Sequence, residues 1–219
     1  MGDRPTGEGP ARPALTGLPV NLLVRGRRVV VVGGGRVAAR KVEPLLDLGA
    51  DVVVVAPEIT GEIRGWGDAG RCRVELRTFA PADLDGAWLV LTATGDREVD
   101  AAVFAAGEAA RVWVNSADDP AHCSFTMMSV VRRADVVVAF GTGGRSPALA
   151  AHLRRLLTEE LGPEYEVLLD LLSEAREGLR ATGRSTEDAD WQRAFDEGIV
   201  DLVRAGRVAD AKELLKSCL

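Results

Sequence analysis

The sequence predicts an α/β protein in which a doubly wound parallel sheet leads into a small α+β unit and then a helical C-terminal region. Three observations predict it. Short β-branched runs alternate with amphipathic stretches through the first half of the chain. A glycine triplet, Gly33-Gly34-Gly35, joins the first such run to the helical stretch after it. Past residue 123 the alternation gives way to two closely spaced apolar runs and then to leucine-rich helical periodicity.

Taken in order, residues 1–17 are rich in Gly, Pro and Arg and lack an apolar stretch, which predicts a flexible tail rather than a signal peptide. Strands are predicted at 28–32, 51–55, 74–77, 88–92 and 112–115. Helices are predicted at 36–48, closed by Gly49, and at about 98–110. Pro44 should kink the first of them near Arg40. Ile59, Ile63 and Trp66 could share one short helical face, although Gly61, Gly65, Gly67 and Gly70 oppose a long helix. The runs 125–131 and 135–140 are joined by Arg132-Arg133-Ala134 alone, too short for a parallel crossover, so an antiparallel ribbon follows. Met127 and Met128 are expected in its core. Ser146 and Pro147 predict the cap and first residue of a helix carrying Leu149, Leu153, Leu156, Leu157 and Leu161, ended by Gly162. Leu168, Leu169, Leu171 and Leu172 mark the next helix. Ser185 with Asp188 resembles a capping box opening another, with Trp191, Phe195 and Leu202, and a last helix covers about 208–216. The expected division is 1–17 tail, 18–123 nucleotide-binding domain, 124–161 linking unit and 162–219 helical domain.

At 219 residues and a formal charge of −6, the chain can bury a real core and is a poor candidate for a nucleic-acid surface. Cys72, Cys123 and Cys218 are widely separated and form no C-x-x-C, which argues against a disulfide framework or zinc site and fits a reducing cytoplasm. No apolar run approaches the roughly 20 residues of a membrane span. His122 and His152 share no ligand spacing, so no dedicated metal site is expected.

Strand, glycine turn and helix together form the Rossmann arrangement that sets a helix N-terminus against a dinucleotide pyrophosphate. Gly33 suits the tight turn, Gly35 the close approach to phosphate, and Ala38 the packing of helix on strand. The acid that usually binds the ribose is missing at Val55 and Ala56. Glu58 is the nearest, and either it or the backbone of Pro57 and Glu58 could serve; a solvated loop acid is the competing reading. The absence of a basic residue there favours NAD over NADP. After the fifth strand, Asp118 and Asp119 could accept a proton, adjacent carboxylates raising one another's pKa, or could simply form an Asp-Pro turn. At 141–146, backbone N–H groups with Thr142 and Arg145 suit a phosphate or carboxylate, or else form a plain turn before a capped helix.

Three stretches carry a resemblance: Val31-Val32-Gly33-Gly34-Gly35-Arg36-Val37-Ala38-Ala39-Arg40-Lys41; Val114-Asn115-Ser116-Ala117-Asp118-Asp119-Pro120 with Cys123-Ser124-Phe125; and Gly143-Gly144-Arg145-Ser146-Pro147-Ala148-Leu149-Ala150. In this order and spacing they resemble the precorrin-2 dehydrogenase/sirohydrochlorin ferrochelatase family of sirohaem synthesis, closely over 18–161 and loosely beyond. The resemblance implies a homodimer with an NAD-binding Rossmann domain, a dimerisation domain and a helical domain. It implies oxidation of precorrin-2 to sirohydrochlorin with NAD⁺ as acceptor, and in some members insertion of Fe²⁺. It places the general base on Asp118 and the cofactor contacts on Gly33, Gly35, Arg36, Val37, Pro57 and Glu58, with Thr94 and Asn115 close by. It places the tetrapyrrole near Ser124, Phe125, Thr142, Gly143, Gly144 and Arg145. Arg132, Arg133, Arg154 and Arg155 add positive charge suited to its carboxylates. Met128 stands where many relatives have proline, and Gly95 where an acid or asparagine often follows the threonine. With no methyltransferase stretch, precorrin-2 is expected from another protein. Alternatives are a dehydrogenase without chelatase activity and a non-catalytic NAD-sensing module.

Overall fold

Valine runs with no polar alternation need cover on both faces, and the computed structural model supplies it. It describes residues 17–117, 119–187 and 189–219, so the expectations for the tail to residue 16, for Asp118 and for Asp188 lie outside the described residues. The chain falls into two compact units divided between Met127 and Met128.

In the first unit, β1 (Arg28–Val32), α1 (Arg36–Asp47), β2 (Asp51–Val55), α2 (Gly61–Asp68), β3 (Arg73–Glu75), β4 (Leu89–Thr92), α3 (Arg97–Ala110) and β5 (Trp113–Ser116) follow in order. The five strands form one parallel sheet in the order β3-β2-β1-β4-β5. Val29 and Val31 pack with Ala38, Val42 and Leu45 of α1 and Ile63 of α2. Val30 and Val32 face the other way, onto Leu84, Val103 and Val112. The winding reverses between β1 and β4, and a crevice at the carboxyl ends of such neighbours is where open sheets bind ligands.

The elements depart from expectation at their ends. β3 stops at Glu75, two residues before the predicted limit. β4 begins at Leu89, one residue after the predicted start, and Trp88 before it is half-exposed beneath the Arg27 guanidinium, 3.9 Å from its ring centre. α1 continues through Pro44 to Asp47. α2 forms in spite of its glycines: Thr60 caps it by accepting from the Ile63 N–H, and Ile63 is fully buried. Gly67 lets α2 lie close on β3, since a Cβ there would meet Val74 Cγ2 at 2.9 Å.

In the second unit, β6 (Ser129–Arg133) and β7 (Val136–Phe140) pair antiparallel from Ser129↔Phe140 to Arg133↔Val136. Ala134 takes the positive φ of 46° that so tight a turn demands. Met127 and Met128 are not strand core. Both precede the ladder, lack cross-strand partners and are exposed. α4 (Pro147–Glu160) starts as predicted, with Ser146 Oγ accepting from the Leu149 N–H, but buries none of its residues. Its C-terminal carbonyls are met by Arg133, whose guanidinium donates to Leu161 O at 2.7 Å and Thr158 O at 3.0 Å.

α5 (Glu164–Ala181), α6 (Trp191–Asp196), α7 (Ile199–Arg204) and α8 (Val208–Cys218) enclose Leu168, Leu171, Ala194, Ile199, Val203, Ala211 and Leu215. The single helix expected through Trp191, Phe195 and Leu202 is two helices, split at Gly198 with φ 85°. Its cap is Asp190, which accepts from the Arg193 N–H; Ser185 instead closes a local turn with Glu187 N–H. Among the described residues, no helix is long and apolar enough to cross a membrane.

Candidate active site

The glycine turn is built by two close contacts and one open space. Gly33 has φ 118°, and a Cβ on it would lie 2.4 Å from Ala93 O, so the turn rests against the end of β4. Gly34 is tighter: its Cβ would lie 1.9 Å from Glu58 O, and its carbonyl accepts from Thr60 N–H at 2.8 Å. Gly35 has nothing within 4 Å of a Cβ. It also caps α1 without a side-chain hydrogen bond, and the first turn of α1 holds no acid. The N–H groups of this first turn have no side-chain cap and stand at the positive end of a twelve-residue helix. This cradle fits a dinucleotide pyrophosphate.

The other expected cofactor positions gather at the same edge. Pro57 and Glu58 follow β2 after Ala56, and the Glu58 backbone lies close against Gly34. Arg36 and Val37 open α1 and are exposed. Thr94 follows β4, where its hydroxyl lies 2.7 Å from Asp100 Oδ1 and accepts from Asp96 N–H. Asp100 also binds the hydroxyl of Thr92, fully buried at the end of β4. Asn115 is buried and committed to protein partners: Oδ1 accepts from Lys41 Nζ at 2.9 Å and Nδ2 donates to Phe125 O at 3.1 Å.

After β5 the chain turns through a 3-10 segment, Pro120–His122. Asp119 caps it by accepting from Ala121 N–H, and His122 Nδ1 lies 2.8 Å from Asp119 Oδ2. The His122 hydrogen bond holds the Asp119 carboxyl below the usual aspartate range, the reverse of the rise expected from paired acids. Cys123 then returns to the strand. Its sulfur accepts from Ser116 N–H at 3.2 Å, and burial pushes its thiol up against the opposing pull of that bond and of Lys41. Ser124 Oγ accepts from Val114 N–H at 2.6 Å, and Ser124 N–H donates to Val114 O. Phe125 packs on the valine core and lies against Trp113. Asp118, the expected base, lies outside the described residues.

In the second unit, Gly143 and Gly144 follow one another at φ 60° and 72°, and Thr142 Oγ1 accepts from Ser146 N–H. This is the tight turn before a capped helix, with Arg145 exposed upon it. Of the other arginines, Arg133 is occupied by α4, and Arg155 lies 3.3 Å from His152 Nδ1. Among the described residues, no group of three or more His, Cys, Asp or Glu could hold a metal ion.

Sequence reasoning missed Gly34 and Asp100. The triplet hid Gly34, because the usual fingerprint asks only for the glycines beside it. Asp100 could have been found from Thr92-x-Thr94 with an acid in the following helix.

Fold and turn together define a Rossmann-type dinucleotide-binding protein. A family model described as "Putative NAD(P)-binding" matches residues 20–129, half of the chain, and the chain belongs to that family. It is 34% identical over 204 residues to the sirohaem synthase of Nitrosococcus oceani, covering 92% of this chain and 44% of that protein. It is 36% identical over 190 residues to sirohaem synthase 3 of Aeromonas hydrophila, covering 87% and 40%. The chain thus spans less than half the length of these curated relatives. The solved structure of SirC, a precorrin-2 dehydrogenase, superposes with a TM-score of 0.72 at 26% identity, covering 92% of this chain and 98% of that one.

Proposed function

We propose that the chain is an NAD-dependent precorrin-2 dehydrogenase, removing a hydride and a proton from precorrin-2 to give sirohydrochlorin. The observation that carries this reading is the uncapped head of α1 with open space at Gly35, in a chain whose likeness to a precorrin-2 dehydrogenase covers nearly all of that enzyme. The N–H groups after Gly35 hold the pyrophosphate, with Arg36 and Val37 beside it. Pro57 and Glu58 take the ribose. The segment 56–60 carries this acid and no base, which supports NAD over NADP. Thr94, fixed by Asp100, borders the same edge. When bound, the dinucleotide supplies the hydride acceptor.

Asp118 takes the proton, on a loop framed by Ser116 and Cys123. Asn115 acts by fixing this loop. Ser124 and Phe125 hold the returning chain and border the macrocycle. In the second unit, Thr142, Gly143, Gly144 and Arg145 are assigned to the tetrapyrrole's carboxylates, for which Arg145 offers a charge-assisted bond. The same unit supports a homodimer: α4 buries nothing, and Val130, Val137, Leu149 and Leu156 are all exposed.

The test supplies precorrin-2 with NAD⁺ and follows the sirohydrochlorin spectrum together with NADH. Equimolar growth of both is expected, and Asp118→Asn should abolish it while leaving NAD binding intact. NAD binding without turnover of any tetrapyrrole would replace this reading by the sensing module. Adding Fe²⁺ to sirohydrochlorin, with and without protein, separates a dehydrogenase that also chelates from one that does not.

A further inference from the structure

In the helical part of the second unit, two pairs of side chains spaced four residues apart line one cleft. Leu172 and Arg176 share a face of α5, and Trp191 and Phe195 share a face of α6. With Thr186 they enclose a cavity of about 340 Å³. Leu172 and Trp191 back onto the buried cluster of these helices, whereas Phe195 is 38% exposed. The Trp191 indole N–H donates to Thr186 O at 2.8 Å, so the ring has only apolar surface left to offer the cleft. Arg176 is the one charged residue of the lining. Other basic side chains of the unit are tied to acids: Arg193 to Glu197 at 2.6 Å, Arg204 to Glu164 at 2.8 Å and Lys212 to Glu174 at 2.9 Å. Arg176 has Leu172, Ser173, Leu179 and Arg180 three and four residues away on its helix, none of them an acid. Among the described residues it makes no ion pair, either with Glu177 beside it or with Glu187 after Thr186.

We propose that this cleft is a binding site for a small planar aromatic carboxylate. It is formed wholly within the second unit, as the dinucleotide cradle is formed wholly within the first. Each part of the lining answers one part of such a ligand. The ring packs on Trp191 and Phe195, with which a second aromatic system pairs offset or edge-on. The carboxylate takes the guanidinium of Arg176, whose planar fork presents two parallel N–H donors to its oxygens. The volume lies at the small end for ligand pockets and suits a compact ring system. A purely apolar ligand would leave the guanidinium unanswered, and bare phosphate would leave both aromatic walls unused.

The experiment titrates indole-3-propionate into the full chain by calorimetry, with and without saturating NAD⁺, against its neutral amide and against inorganic phosphate. The acid should saturate one site with a Kd of about 0.1–1 mM, the range that ligands of this size reach. The amide on wild type, and the acid on Arg176→Gln, should each bind about tenfold more weakly, because each lacks the charge-assisted bond. Phe195→Ala should weaken the acid about three- to tenfold. Saturating NAD⁺ should leave the affinity unchanged, and phosphate should not compete. Both variants alter exposed side chains; should either fail to fold, the comparison of acid with amide on wild type decides alone. No saturation by about 10 mM, an acid bound no better than its amide, or an Arg176→Gln variant that binds as wild type does overturns the proposal. Displacement by NAD⁺ would move the acid to the cradle, and displacement by phosphate would reduce the cleft to a plain anion site; either also overturns it.

Discussion

Alanine at Gly34 and alanine at Gly35 should do opposite things, although the residues are neighbours. At Gly34 the new Cβ would sit 1.9 Å from Glu58 O and 2.9 Å from both Glu58 C and Ile59 Cα. All three atoms are backbone, so the loop after β2 must move by more than about 1 Å to reach ordinary contact. Overpacking of this kind costs about 1–3 kcal/mol, and rigid surroundings put it near 3 kcal/mol. For a chain of this size that lowers Tm by about 6–12 °C. At Gly35 the Cβ meets nothing, and φ −81°, ψ −175° is comfortable for alanine. Alanine is a poorer cap than glycine by about 0.5–1 kcal/mol, but it reduces unfolded-chain entropy by about 0.4–1 kcal/mol, so the two cancel. The methyl would instead stand where phosphate approaches. Losing one charge-assisted bond of about 1.5–3 kcal/mol weakens NAD at least tenfold. Thermal denaturation and NAD titration by calorimetry read both effects. A Gly35→Ala variant that binds NAD as tightly as wild type would refute the phosphate cradle, and a Gly34→Ala variant with unchanged Tm would refute the close approach.

Asp100→Ala should leave the buried Thr92 hydroxyl without its acceptor and Thr94 with Asp96 O alone, costing about 1–3 kcal/mol in chemical denaturation and weakening NAD binding, while Asp100→Asn restores most of both. Arg77 and the Ala80 N–H hold the Asp83 carboxyl below the usual aspartate range. Its stabilisation is therefore complete above the unfolded pKa near 4 and is lost as pH falls through the lower folded value. The Tm gap between wild type and Asp83→Asn should accordingly be widest near neutrality and close in acid. Arg111 ends α3 at φ 58°, a left-handed conformation costing about 1–2 kcal/mol outside glycine. Arg111→Gly should stabilise the chain by about 0.5 kcal/mol after the unfolded-state offset, read as a higher denaturation midpoint.

Most of the sheet was legible because its causes are local. Four-valine runs can only be strands covered twice, and Gly33 to Gly35 can only be a turn against a helix. What stayed hidden depends on distant partners. Gly34 is required by Glu58, twenty-four residues on, and Asn115 is fixed by Lys41 from another element. The adjacent acids suggested raised pKa values, but a one-turn 3-10 segment brings His122 onto Asp119 and reverses the sign. The leucine periodicity of α4 does mark a helix, yet periodicity names a face without saying what covers it. Further along, Gly198 breaks a stretch whose apolar pattern continues on both sides.

The bond between Ser124 and Val114 has a consequence for how copies of the chain can meet. On the β5 margin, Val114 gives both its N–H and its C=O to Ser124, and Ser116 N–H is taken by Cys123. On the β3 margin the strand is three residues long, with Arg73 tied to Asp51 at 2.8 Å and bristling with charge. The β5 side has its Val114 and Ser116 groups taken and the β3 side is short and charged, so pairing of a borrowed strand with this five-stranded sheet is disfavoured at both flanks.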